Sequence, residues 1–360
     1  MRIRGGRIPV PWPRLGLGGY DPARGRGRER RRTVTGDKGT HPLSSSQSAE
    51  DATSEGLRAL PRPVAVVVGA GGVLGAAHVG VGYALDERGF VPDMIIGTSV
   101  GALVGAIAAA HPDGSASPLL DRVWTQLRRR EVYPLGYLSS RASIFTDRGL
   151  RRLIARSGLP SRIEELAIPF TAVAMDLGTG APVLLDHGDL ESALLASAAV
   201  PGMLPPVDRE GRTLVDGGVI AYVPAMAALQ AGAASVVVLS TGPESSSPGQ
   251  GVPRRRAGAI AARAGLLLMR HQIERDLQEV ARHVPTVVLP TGIDVWPSPW
   301  DFGHSERLIS TASRTAGGFI DGLHVSGPGL YRVGAATTTT SSSAAGQDEA
   351  STFSASGVPL

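Results

Sequence analysis

Ser99 lies at the centre of Gly97-Thr98-Ser99-Val100-Gly101, a G-x-S-x-G pattern, where a serine hydroxyl can act as a nucleophile. At its ordinary pKa a hydroxyl attacks poorly and needs a neighbouring base. Leu214-Val215-Asp216-Gly217-Gly218 ends a short apolar run on a carboxylate. That carboxylate fits two roles, a general base or the side chain of an Asx turn, since Asp-Gly is a common turn pair. A third segment, Gly69-Ala70-Gly71-Gly72-Val73-Leu74-Gly75, is glycine-rich. Its backbone N–H groups can face an anion, either a phosphate or the oxyanion of a tetrahedral intermediate. A Ser–Asp dyad is chemically sufficient. A Ser-His-Asp triad is the rival, and His304, in a Pro/Asp-rich loop, is the histidine the sequence leaves open. His78, one turn past the glycine loop, reads as a packed helix residue.

Those side chains need elements to hold them. Residues 64–68 form a continuous β-branched apolar run, the pattern of a strand buried on both faces. A glycine turn and a helix over 76–88 follow; then a second strand, 94–96, feeds the serine turn and a helix over 100–110. Two strand–helix units in succession predict parallel pairing and an α/β fold. Further strands are predicted at 170–174, 182–185, 213–215, 235–239 and 286–289. Further helices are predicted at 119–129, 148–157, 190–198, 224–231 and, longest, 259–283. No internal repeat and no second domain is visible.

Composition narrows the class. The chain has 360 residues, 42% hydrophobic but only 4% aromatic, so its core must be built from Ala, Val, Leu and Ile. There is no cysteine, which removes thiolate nucleophiles, disulfides and cysteine metal sites. Residues 1–35 hold ten arginines against Asp21 and Glu29, a net of +8 on a chain whose total is +4, so the remainder carries −4. Nucleic-acid binding therefore has no support outside the tail. Residues 1–60 are predicted to be a disordered basic tail, 61–334 one folded domain, and 335–360 a disordered low-complexity tail. No apolar stretch reaches the roughly 20 residues of a membrane span, and no signal peptide is present, which predicts a cytoplasmic protein.

With the three segments in this order, the chain resembles the patatin-like phospholipases. That family pairs a glycine-rich oxyanion loop, a G-x-S-x-G nucleophile and a D-G-[GA] base. Here they stand as Ala70-Gly71-Gly72-Val73-Leu74-Gly75, Gly97-Thr98-Ser99-Val100-Gly101 and Asp216-Gly217-Gly218. The connectors Asp176-Leu177-Gly178-Thr179-Gly180 and Ala196-Ser197-Ala198-Ala199-Val200-Pro201-Gly202 are similar too, and the likeness covers roughly residues 62–325. The resemblance implies a three-layer α/β/α domain with a largely parallel central sheet. It implies Ser99 as nucleophile, Asp216 as general base and the N–H groups around Gly71 and Gly72 as the oxyanion hole. Gly75, Gly97, Gly101, Gly217 and Gly218 are the motif glycines. The implied substrate is a lipid or other acyl ester, met at a membrane or lipid interface, with no metal and no cofactor. The chain departs from the family pattern at Ala70, usually glycine, and at Leu74, usually Arg or Lys. It also lacks the asparagine often found soon after D-G-G. Those departures motivate the alternative of a catalytically weak lipid-binding or regulatory protein. A nicotinamide oxidoreductase is the third reading, but G-x-G-x-x-G fails, since the sixth place from Gly69 is Leu74. Apolar candidates to hold an acyl chain are Leu103, Ile107 and Leu204, though each reads first as ordinary core.

Overall fold

The computed structural model of the protein describes residues 55–134, 143–242, 257–293 and 301–334. Its centre is β1 (Val64–Val68), whose five residues are all buried. Side chains alternate across a strand. Val64, Val66 and Val68 enter one core, while Ala65 and Val67 enter a second core on the opposite face. The same alternation holds in β7 (Ser235–Leu239) and β8 (Pro285–Leu289). A sheet that is apolar on both faces must be covered on both, and this one is.

One face carries the helices Gly75–Asp86, Val100–Ala110, Ala116–Gln126, Arg148–Arg156, Leu190–Ser197 and Ser305–Asp321. The other carries Ala225–Gln230 and the C-terminal part of Ala257–Ala281. The result is a three-layer α/β/α domain. Parallel pairs join β1 to β2 (Met94–Thr98) and to β7, β2 to β3 (Phe170–Asp176), β7 to β8, and β8 to β9 (Gly329–Tyr331). Beyond β3 the sheet turns antiparallel, through β4 (Pro182–Leu185), β6 (Arg212–Asp216) and β5 (Val207–Arg209). The strand order is β5-β6-β3-β2-β1-β7-β8-β9, with β4 also on β3.

All seven expected strands form. β2 runs on through Thr98 and β6 through Asp216, so the serine turn and the carboxylate both stand at strand ends. The helix expected over 119–129 is instead Ala116–Gln126, because Leu127 turns extended at ψ 133°. Strands β5 and β9 and the helix Ser305–Asp321 were not expected. The predicted tails at 1–54 and 335–360 lie outside the described residues. Residues 55–60, assigned by sequence to the N-terminal tail, pack instead. Glu55–Arg58 is a helical turn, and Leu57 and Leu60, three apart and therefore on one side, are buried.

Candidate active site

β2 ends at Thr98 and a helix starts at Val100, leaving Ser99 alone to make the turn. It does so at φ 58° and ψ −126°, a conformation side chains disfavour, with its hydroxyl at the head of the helix. Such strain costs on the order of 1–3 kcal/mol and persists only where the surroundings enforce it. The surroundings here are backbone. A Cβ on Gly97 would meet Gly101 O at 2.5 Å and Ala102 Cα at 2.6 Å. A Cβ on Gly101 would overlap the carbonyl oxygens of Val68 and Gly69. Strand, turn and helix thus touch main chain to main chain, and only glycine fits.

Asp216 closes β6 and is 4% exposed; Ser99 is 8% exposed. The Ser99 hydroxyl donates to Asp216 Oδ2 at 2.6 Å, across 117 positions of sequence. Asp216 Oδ1 accepts the Gly218 N–H at 2.6 Å. One oxygen of this aspartate thus closes an Asx turn, while the other faces the serine hydroxyl. Burial pushes the Asp216 carboxyl up to about 6, against the opposing pull of hydrogen bonds from Ser99 and Gly218. The nearby phenols respond as well. Tyr222 rises to about 12, chiefly by burial, with the Asp216 charge adding to it; Tyr133 rises for the same two reasons.

The meeting of the pair is set by β3. Thr98, the residue before Ser99, pairs with Val173, and Asp216 pairs with the next residue, Ala174. Gly217 is needed because a Cβ there would run into the Val173 carbonyl. Ser197 locks the same spot. Its Oγ donates to Val173 O at 2.7 Å and accepts the Ser99 N–H at 2.9 Å, while Asp216 N–H donates to Ala199 O at 2.9 Å. In the sequence Ser197 stands only as part of a connector. Its role depends on two backbone atoms that no motif names. Replacing Ser197 with alanine leaves the Ser99 N–H and the Val173 carbonyl without this partner. It is expected to lower stability by about 2 kcal/mol, read by urea unfolding, and to slow turnover together with it.

The glycine loop is held from beneath. Ala70 N–H donates to Tyr222 O at 2.8 Å, Thr241 Oγ1 donates to Ala70 O at 2.8 Å, and Leu74 N–H returns to Gly71 O at 3.1 Å. His78 is fully buried, with Nε2 at 2.9 Å from Gly69 O, and burial lowers its pKa to about 4, so it stays neutral. Gly72 takes φ 56° with open space around it. A Cβ on Gly75 would strike Val100 and Trp124, at 2.5 and 2.8 Å. One on Gly218 would come within 2.9 Å of Asp216 Oδ1. Leu74 is buried and its N–H bonds Gly71 O, so the turn of the loop closes through a main-chain bond with no cation at this place.

Gly71, Gly72, Ser99, Asp216 and Gly218 all line one cavity of about 380 Å³. That volume suits a small-molecule ligand. Its remaining walls are mainly apolar, including Leu103, Leu150, Leu194, Leu204 and Met269. Among the described residues that line it, Asp216 is the only charged one and none is a histidine. Of the apolar candidates, Leu103 and Leu204 line the cavity, while Ile107 packs in the core without reaching it. The triad candidate His304 lies at the surface, 3.2 Å from Asp301 Oδ2. Among the described residues no group of three or more His, Cys, Asp or Glu could hold a metal ion.

Residues 66–229 match the protein family described as patatin-like phospholipase. An uncharacterized NTE family protein of Mycobacterium tuberculosis is 39% identical over 165 residues, 45% of this chain and 44% of the relative. Patatin-like phospholipase domain-containing protein 6 of Homo sapiens is 33% identical over 182 residues, 50% of this chain and 13% of the relative. VipD from Legionella pneumophila, a solved structure, superposes with a TM-score of 0.40 at 13% identity, covering 73% of this chain and 67% of that one. The chain therefore spans less than half the length of these curated relatives.

Proposed function

For a chain that belongs to the patatin-like phospholipase family through residues 66–229, we propose a serine acyl hydrolase acting on lipid esters, of phospholipase A, lysophospholipase or esterase type. The observation that carries this reading is the 2.6 Å hydrogen bond from the Ser99 hydroxyl to a buried carboxylate in the wall of an apolar cavity. Asp216 Oδ2 takes the hydroxyl proton as Ser99 Oγ attacks the ester carbonyl. The negative charge that develops on the carbonyl oxygen is held by the N–H groups of Gly71 and Gly72 and by the positive end of the Val100–Ala110 helix. As the tetrahedral intermediate collapses, the C–O bond to the alcohol breaks and the proton on Asp216 passes to the departing oxygen. Water, deprotonated by the same carboxylate, then attacks the acyl-enzyme, and Ser99 recovers its proton. The fatty acid leaves from the apolar end of the cavity. The dyad suffices because the hydroxyl reaches the carboxylate directly.

The loop's closure through main-chain bonds favours an active hydrolase over the catalytically weak alternative, since the donors do not depend on a cation at Leu74. A fluorophosphonate probe tests the reading. It should label the protein covalently, and Ser99→Ala should abolish labelling; labelling that survives the substitution would overturn it.

The raised pKa of Asp216 sets the pH dependence. A general base works only when ionised, so kcat/KM for a soluble p-nitrophenyl ester should rise about tenfold per unit below pH about 6 and level off above it. A profile that is flat down to pH about 4 would show that another group is the base.

A further inference from the structure

The helix Ala257–Ala281 is packed at one end and projects at the other. Leu277, Val280 and Ala281 are buried. The preceding turns carry large apolar side chains into solvent: Ile260 is 47% exposed, Leu266 40%, Leu267 41% and Leu268 72%. Three consecutive leucines sweep about 200° of a helix surface, so this stretch is apolar on more than the side that faces the domain. Scattered exposed leucines need no explanation, but a contiguous run of them does.

The run is tied to the candidate active site. Met269, the next residue, lines the cavity that holds Ser99. Gln272 Nε2 donates to Ile220 O, fastening the helix to the turn after Asp216. Val219, in that turn, lines the cavity and is 53% exposed. The charge is one-signed. Between residues 257 and 273 the ionisable groups are Arg263, Arg270 and His271, with no acid. The next acid, Glu274, is engaged by Arg332 at 2.7 and 2.9 Å. This stands out on a chain whose residues after 35 carry a net of −4.

We propose that this projecting half-helix, with Val219, is the surface by which the protein docks on an anionic lipid layer. The leucines enter the acyl boundary and the arginines meet the headgroups. Docking there sets the cavity mouth against the layer, so an ester passes from lipid to Ser99 without crossing water. The proposal rests on the acyl hydrolase reading for its purpose, though not for its geometry.

The native chain has no cysteine, so a single introduced one can be labelled alone. In a full-length Ser99→Ala background, Leu268→Cys carrying the environment-sensitive fluorophore NBD is mixed with phosphatidylglycerol/phosphatidylcholine vesicles. A control carries the label at Arg282→Cys, beyond the packed end of the helix. The label at 268 should shift to the blue and brighten about twofold or more, and the control should not respond. Leu267→Asp/Leu268→Asp should weaken vesicle binding about tenfold, while its counterpart with Ser99 intact hydrolyses a soluble p-nitrophenyl ester at the parent rate. If the label at 268 stays silent while the protein still sediments with vesicles, another segment holds the lipid and the proposal falls. If the label responds to protein concentration without lipid and vesicles add nothing, the face binds a second copy and the proposal falls. If docking proceeds as described but the Ser99-containing protein hydrolyses no ester, the surface stands and the hydrolase reading fails alone.

Discussion

Asp216→Asn should cut ester hydrolysis at least about 10³-fold and, near neutral pH, make the protein more stable. The substitution keeps the shape. An asparagine carbonyl can still accept the Gly218 N–H, and its amide can donate to Ser99 Oγ, but the group can no longer take a proton. The stability gain follows from the burial that raises the carboxyl from 3.8 to about 6. A folded-state pKa above the unfolded one means that the native protein binds this proton more tightly. Stability therefore falls as pH rises between about 4 and 6, and the full penalty remains above 6. At about 1.4 kcal/mol per unit it amounts to about 2–3 kcal/mol, which a neutral amide does not incur. Urea unfolding near pH 7 should show the variant ahead of the parent by that order. The gap should close as pH drops below about 4. A fully active variant would remove Asp216 from the reaction.

Gly101→Ala should be severely damaging, with a loss of roughly 3 kcal/mol or more and little folded protein recovered. The added carbon would overlap the carbonyl oxygens of Val68 and Gly69, which belong to β1 and to the start of the glycine loop. Neither can retreat, because Gly69 N–H is bonded to Leu239 O in β7 at 2.9 Å and Gly69 O to His78. Gly265→Ala is the matched comparison. Gly265 sits in the projecting half of the long helix, with nothing within 4 Å of the added carbon. There alanine should be neutral or should stabilise by up to about 1 kcal/mol. Thermal unfolding of the two variants side by side separates a methyl that meets backbone from one that meets solvent.

The interior of the sheet was legible because β1, β7 and β8 are short β-branched runs buried on both faces, a pattern few other elements share. The helix Ser305–Asp321 escaped notice because its sequence is rich in Ser, Thr and Gly, all modest helix formers. Its buried residues Ile309, Ala312, Ala316 and Ile320 do repeat at helical spacing, but two of them are alanines and signal weakly. Packing explains the choice: Gly80 on the neighbouring helix lets it approach so closely that a Cβ would come within 2.8 Å of Ala312 Cβ. At the site, Ser99 and Asp216 could be named from their turns, but their convergence followed only from the family resemblance, not from local pattern. It depends on Val173 and Ala174 being neighbours on β3 and on each choosing a different partner strand. Ile107 and Leu103 are both buried apolar residues of one helix, and only the placement of Leu103 against the cavity tells wall from core.

The dihedral angles at Ser99 describe a backbone that glycine would occupy at ease. A population screened for heat tolerance alone would tend to shed the hydroxyl at this codon and keep everything around it. Glycine here would relieve the turn and remove the hydroxyl in one exchange, so stability and the proposed chemistry make opposite demands on this residue.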